Sequence, residues 1–569
     1  MDKRLFLAFA LSGVVVVATP LLFPRAKTAP AVSSSAGTGA DTAPGAEAQA
    51  QKAPAAASDS ALPGAGAGAQ KARAVTPSGV RAVERAVAPA GVAAETLTVH
   101  TTVSHTQFST LGAAPIDVQV LGFSSLGPAK GVARIHQARE PLLRYRILSG
   151  NDTIDVSKVA FAATRSVAAD GGQAISFHGV SGAADITLKY AMTPENYLGT
   201  VTAAVAGVAA PAFLLVDLPT GFVSQEGDTV GDQNALAYAV KPQRGSSKGI
   251  PFGKLDPGEQ RLESGPMLWA MAKNKYFIVG LLTSEKAPSI AEVKFEGGAR
   301  TSKAATRSHA TAVLPLTDGT TTFDMYAGPQ EWQRMRSLGR DFENANPYGG
   351  FLQGVVQPFA TIVMRSLLWM KRTTQLNYGW VLVIFGVAIR LAMWPLNQKA
   401  MRASMKLQRI QPELQAVQAK YKSDPQKQQA EIMKLYASHG MSPLSPILGC
   451  LPMLLPMPIL FALFFVFQNT IEFRGVSFMW LPDISLKDPL YILPLVMGAS
   501  MYVLSWMGMR NAPPNPQAKM MAYIMPAMMT FFLINFASGL NLYYTIQNIA
   551  ALPQQWLIAN ERAKTTKPT

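Results

Sequence analysis

Residues Tyr378 to Leu396 read YGWVLVIFGVAIRLAMWPL, an apolar run interrupted by one charge, Arg390. At about 1.5 Å per residue such a helix is roughly 28 Å long, which matches a hydrocarbon core of about 30 Å. Uncharged apolar runs follow at Ile447 to Phe467, Leu490 to Met507, Met520 to Phe536 and Leu540 to Ile558. The last two would make one helix of about 57 Å, too long for a single crossing, so Ala537-Ser538-Gly539 is expected to be a tight turn between two spans. Five spans therefore form a helical core.

Working outward, the N-terminus is basic at Lys3 and Arg4 and then apolar from Leu5 to Phe23. That pattern fits a signal peptide or a spanning anchor. The run continues to Pro24 without a small-x-small site, which favours an uncleaved anchor and a count of six spans. Lys and Arg total 51 against 35 Asp and Glu, a formal net charge of +16. The cations cluster beside apolar runs, as topology signals do, rather than along a nucleic-acid-binding surface. Lys3 and Arg4, Lys399 through Lys434, and Arg562, Lys564 and Lys567 all fall inside for six spans. The short outer loop with Glu472, Asp483 and Asp488 is acidic. Both termini are thus expected in the cytoplasm.

Residues 25–94 are dominated by Ala, Pro, Gly and Ser and lack the apolar content to offset chain entropy, so they read as a disordered linker. From 95 to 335 the character changes to alternating, β-branched segments such as Thr96 to Val103, Ile116 to Phe123, Tyr276 to Leu282 and Thr320 to Tyr326. Turn clusters at Asp170-Gly171-Gly172 and Asp318-Gly319 separate segments of this kind. This is an all-β sandwich on the non-cytoplasmic side, suited to binding or spacing. Residues 336–375 include Phe351 to Met370, a mixed segment with Gln353, Gln357, Pro358 and Arg365, read as an amphipathic helix lying in the interface.

After the 376–396 span, residues 397–445 place Leu407, Ile410, Leu414, Val417 and Tyr421 at spacings of 3, 4, 3 and 4, a coiled-coil seam. Ser423-Asp424-Pro425 breaks that helix and caps the next, Gln426 to Ala437, and Gly440 closes it. The segment reads either as a docking or gating helical hairpin or as a plain solvated connector. The remaining spans fill 446–558, and 559–569 is a basic cytoplasmic tail.

Arg390 in a membrane costs about 2.5 to 3.5 kcal/mol on insertion scales. It either snorkels to cytoplasmic headgroups near Lys399 or lines a water-filled cavity. Asn541, Tyr544, Thr545 and Asn548 follow an i, i+3, i+4, i+7 pattern, which makes one polar face of the last span, either a wet face or interhelical glue. The apolar runs hold no Asp or Glu, so the chain offers Arg390 no intramembrane counter-ion. That absence argues against proton-coupled carriers and aspartyl intramembrane proteases. The single cysteine, Cys450, permits neither an intramolecular disulfide nor a CxxC pair, and the six histidines lack HExxH-like spacing. No GxxxxGK[ST] is present. The expectation is a non-enzyme with no cofactor, no metal and no catalytic residues. A solute or lipid transporter using Arg390 as an anion site and an anchored periplasmic scaffold are the alternatives.

Asn377-Tyr378-Gly379-Trp380 leading to Arg390 and Trp394-Pro395-Leu396 resembles the second span of the YidC/Oxa/Alb insertase family. Gln411-Pro412-Glu413-Leu414 is similar to that family's cytoplasmic hairpin. The resemblance continues through Ser442-Pro443-Leu444, Cys450-Leu451-Pro452, Met457-Pro458-Ile459, Asp488-Pro489-Leu490-Tyr491, and Ser538-Gly539-Leu540 with Tyr543-Tyr544. Ala327-Gly328-Pro329-Gln330 resembles the end of the periplasmic β-sandwich of the long Gram-negative type.

The resemblance implies a membrane-protein insertase and chaperone of the bacterial inner membrane. It would move apolar segments of newly made proteins from the cytoplasm into lipid, alone or with the Sec translocon. It implies as partners nascent membrane proteins, the Sec translocon, the signal recognition particle pathway, membrane lipids and, through a short tail, the ribosome, with no direct nucleic-acid binding. It places Arg390 in a hydrophilic groove, with Gly386 one turn earlier where a hydroxyl residue occurs in the family. Tyr544 and Asn548 fall at its groove or substrate contacts.

Overall fold

The computed structural model describes residues 94–167, 172–284, 289–300, 305–346, 353–441, 457–510 and 516–565. The N-terminal run Leu5 to Phe23, the linker to residue 93, Asp170-Gly171, Ser442-Pro443-Leu444 and Cys450 lie outside the described residues.

The β part is antiparallel throughout. Four strands, Thr96–His100, Ser104–Ser109, Ala114–Ser124 and Val132–His136, form a small sheet in chain order. The sequence expectation ran the first strand to Val103. It stops at His100 because Thr101 turns the chain, its amide donating to the Ser104 carbonyl at 2.8 Å and its hydroxyl accepting from the Ser104 amide at 3.0 Å.

A large sheet packs on the small one. One edge is Asp152–Asp155 and Arg144–Ser149, the other Gln173–Ser181 and Ala162–Val167. Ala184–Met192 alternates buried and accessible positions, as a strand with one covered face must. Phe277–Leu282 is buried at every residue, which explains its unbroken apolar sequence. Phe108 of the small sheet meets Tyr190 of the large one at 4.7 Å between ring centroids. The long strand Gln260–Lys273 changes partner at a bulge between Ser264 and Met267, pairing first with Ile290–Gly297 and then with Phe277–Leu282 and Ala237–Pro242.

Ten α-helices are described: α1 Thr229–Asn234, α2 Trp332–Ser337, α3 Gln353–Thr374, α4 Tyr378–Arg409, α5 Gln411–Lys420, α6 Pro425–Ser438, α7 Met457–Asn469, α8 Ile492–Met509, α9 Pro516–Leu533 and α10 Ser538–Thr565. Two, Tyr378–Ala400 and α8, are long and apolar enough to cross a membrane, and α7 and Ala522–Leu533 are shorter apolar helices. α3 buries Val356, Ala360, Val363, Met364 and Leu367, a stripe at helical spacing, against α7 and α4. α10 lies between α4 and α8, and α9 packs on α8.

Three boundaries differ from the sequence reading. The Tyr378 helix does not end near Leu396 but runs on to Arg409, and the 407–421 seam is divided between α4 and α5. Pro412 is the reason, since it has no amide hydrogen to give the carbonyl four residues back and its ring crowds that turn. Ile410 sits at the break, buried, while Leu414, Val417 and Tyr421 are half-buried on α5 and its end. The side chain of Leu407 lies outside the described residues. The turn before the last helix is residues 534–537, and Ser538 and Gly539 already belong to α10.

α5 and α6 form an antiparallel hairpin. Asp424 accepts from the Lys427 amide at 3.1 Å to cap α6, and Gln428 donates to the Gln418 carbonyl at 2.9 Å.

The β sandwich is fastened to the loop after α7. Arg474 donates to Glu226 at 2.8 and 3.0 Å, with both side chains buried, and stacks over Tyr276 and Phe277. Glu472 accepts from the Trp332 amide at 3.1 Å, and the Tyr276 hydroxyl meets Ser485 at 3.1 Å.

Candidate functional site

Arg390 lies on the face of α4 that meets α10, half-buried. Its Nη2 donates to Gln554 Oε1 at 3.0 Å, and Gln554 Nε2 donates to the Trp394 carbonyl at 3.1 Å. Gln554 is itself buried. The guanidinium is therefore held by a neutral amide, and among the described residues its buried Nε has no acceptor. A carboxylate or phosphate oxygen would fit that donor better than an amide does.

A second amide works one helical stretch earlier. Gln547 donates to the Gly386 carbonyl at 2.7 Å and to the Tyr543 hydroxyl at 3.2 Å. Arg402 and Glu561 pair at 3.1 Å further along. The order 386–547, 390–554, 402–561 shows α4 and α10 running parallel.

Gly386 is buried, and a Cβ there would stand 3.0 Å from the Ile546 side chain. A larger residue would crowd Ile546, so Gly386 sets the close contact between α4 and α10.

The other polar residues of α10 turn elsewhere. Asn541 Nδ2 donates to the Leu533 carbonyl at 3.1 Å, satisfying an otherwise orphan group at the end of α9. The Thr545 hydroxyl bonds back to the Asn541 carbonyl at 2.8 Å. Asn548 reaches Ser500 of α8 at 3.1 Å. Tyr544 is half-buried, packed against the apolar helix core.

At about 100° per residue, Tyr543, Gln547 and Gln554 point roughly 150° away from the centre of the Asn541, Thr545 and Asn548 face. α10 thus carries two polar faces, and the structure does not bring Asn541, Thr545 or Asn548 to Arg390. Sequence reasoning missed Gln547 and Gln554. Their spacing of seven, two helical turns, was the available signal.

The outer-loop carboxylates also have local work. Asp488 accepts from the Leu490 and Leu493 amides at 3.0 and 2.7 Å at the start of α8. Asp483 accepts from the Gly475 and Ser485 amides at 2.9 and 2.8 Å. Among the described residues no cluster of His, Cys, Asp and Glu is arranged to hold a metal ion.

Comparison with known proteins covers both parts of the chain. Residues 369–566 match the family model described as 60Kd inner membrane protein, and residues 96–362 match the YidC periplasmic domain. The membrane protein insertase YidC of Anaeromyxobacter sp. (strain Fw109-5) is 29% identical over 72% of this chain and 71% of that protein. The YidC of Chlorobaculum tepidum is 30% identical over 65% of each. The crystal structure of an active YidC insertase aligns with 84% of this chain and 94% of its own at 18% identity and a TM-score of 0.32. With both family models matched in order and relatives of that name aligned across both parts, the chain belongs to the YidC family of membrane protein insertases.

Proposed function

We propose that this inner-membrane protein inserts apolar segments of newly made proteins into the bilayer, with Arg390 as the transient partner for acidic groups in the substrate's translocated tail. The observation that carries the reading is the guanidinium on α4 whose partner among the described residues is the Gln554 amide and whose Nε has no acceptor among them. A tail carboxylate can displace the amide, because it adds the opposite charge that the amide lacks. The apolar segment then leaves sideways along the exposed faces of α4 and α8, where Leu391, Val387, Leu495 and Trp506 are open. Burial in lipid drives that step at about 25 cal/mol per Å². The membrane potential adds about 2.3 kcal/mol per negative charge per 100 mV moved outward.

The same proposal includes six spans, cytoplasmic termini, and cooperation with the Sec translocon and signal recognition particle pathway, with at most a weak ribosome contact through the tail. It is not an enzyme and uses no cofactor. Support comes from the distribution of Lys and Arg beside the apolar runs and from the α5–α6 hairpin beyond Ile410.

The test is insertion of a small substrate with an acidic tail in a strain depleted of its own insertase. Arg390→Ala is expected to lose insertion, and Arg390→Lys to keep most of it. Full activity in both variants rules out charge capture.

A further inference from the structure

A cleft of about 1580 Å³ separates the β sandwich from the outer ends of α7, α9 and α10. Its two walls differ in chemistry. On one side and at the rim stand Lys248, Lys254, Arg261, Lys273, Lys275 and Lys487, against a single lining carboxylate among the described residues, Asp228. Glu263, behind the wall, is shared by Lys248 and Arg261 at 2.5 and 3.3 Å. Asp232 accepts from the Lys275 backbone at 3.0 Å, and Glu226 is taken up by Arg474. Cations still outnumber these carboxylates.

Lys273 is the informative one. It is 6% exposed, and its ammonium meets the Asn346 amide oxygen, with no carboxylate in salt-bridge reach among the described residues. Burial lowers its pKa to about 8, so it is still mostly charged at neutral pH. A buried cation held by one neutral acceptor is costly unless an anion shares the site.

The facing wall carries an aromatic strip beside the polar side chains of Gln468, Asn469 and Asn535. Phe464, Phe465 and Phe536 line it, with Phe464 and Phe536 rings 5.3 Å apart. Phe536 in turn stacks 5.0 Å from Phe532, which is 60% exposed on the outer face of α9 beside Phe531. The aromatic strip therefore runs from the cleft to the exposed apolar face of α9. A soluble anion would use the lysines and leave the strip bare. An amphiphile uses both.

We infer that this cleft binds an anionic phospholipid of the outer leaflet, with the phosphate at the Lys248–Lys273 wall and an acyl chain along Phe464, Phe465 and Phe536. On the six-span arrangement proposed above, the cations fall at headgroup depth and the rings at the top of the hydrocarbon, so the lipid would enter laterally. The bound lipid fills the gap between sandwich and helices and neutralises Lys273.

The experiment uses the full chain in detergent, titrated with dioleoyl phosphatidylglycerol or dioleoyl phosphatidylcholine and read by native mass spectrometry. Phosphatidylglycerol is expected to bind about tenfold more tightly, and the surface triple variant Lys248→Gln, Lys254→Gln, Lys487→Gln to lose that preference. Lys273→Met tests the inner position, with circular dichroism to confirm folding. Phe464→Ala is expected to weaken both lipids. Equal binding of the two lipids, or a preference unchanged in the triple variant and in folded Lys273→Met, overturns the proposal. So does an acidic acyl-free peptide that binds the wild type and not the variants while phosphatidylglycerol does not bind.

Discussion

Arg390 and Gln554 form a pair in which one partner is charged and the other is not. Such a bond is strong enough to hold the guanidinium in place and weak enough to yield to a carboxylate. Gln554→Glu supplies the carboxylate permanently. The expected outcome is a folded protein that inserts acid-tailed substrates about tenfold less well and neutral-tailed ones nearly normally, by the strength of a charged pair in a poorly hydrated setting. Pulse-labelled insertion assays with the two substrate classes measure this, and equal loss for both counts against exchange at Arg390.

Glu472 gives a second prediction at the same scale. One of its oxygens accepts from Trp332, the other is buried with no partner among the described residues, and burial raises its pKa from 4.5 to about 7. A carboxyl with a raised folded pKa stabilises the fold below its unfolded pKa, and that contribution is lost as pH rises through the folded one. Between pH 5 and 8 the wild type should therefore lose about 2 to 3 kcal/mol relative to Glu472→Gln. Melting temperatures of the two proteins across that range check it, and parallel curves contradict it.

At the scale of elements, the joint between sandwich and membrane helices turns on the Arg474–Glu226 pair. Even with Arg474 in contact, burial raises the Glu226 pKa to about 6. Removing one partner strands a buried charge, which typically costs about 3 to 5 kcal/mol, whereas replacing both by apolar residues costs far less. Arg474→Met is accordingly expected to lower the melting temperature more than the double change Arg474→Met with Glu226→Leu. Differential scanning fluorimetry decides it, and additive losses mean that the two residues act separately. Pro412 matters at this scale too, because it fixes where the rigid α4 ends and the α5–α6 hairpin begins.

For the whole molecule, the residues placed in the insertion step belong to α4, α8 and α10, while the sandwich contributes contacts to the loop after α7. Deleting 96–329 should leave insertion of small substrates largely intact and lower the protein's thermal stability, because Arg474 and Ser485 lose their partners. Complementation of a depletion strain tests the first part. Failure of a well-folded deletion variant to insert assigns the sandwich an active role.

What was legible in the sequence is local or periodic. Apolar length marked the two membrane-length helices at Tyr378–Ala400 and α8, alternation marked the strands, and Asp424-Pro425 announced the start of α6, because each depends on a few neighbouring residues. Arg390 stood out for the same reason, as one charge in an apolar run. The resemblance carried by Tyr378-Gly379-Trp380 and its successors gave the family. Only tertiary structure decided which helix faces meet. Asn541 caps α9, Asn548 bonds to Ser500 of α8, and Gln554, marked in the sequence only by its spacing from Gln547, becomes the partner of Arg390. The pairing of Arg474 with Glu226, 248 residues apart, was equally invisible, as was the cleft with a lysine wall on one side and phenylalanines on the other. A periodic pattern says that a face is polar. Which neighbour that face meets depends on how the helices pack around one another.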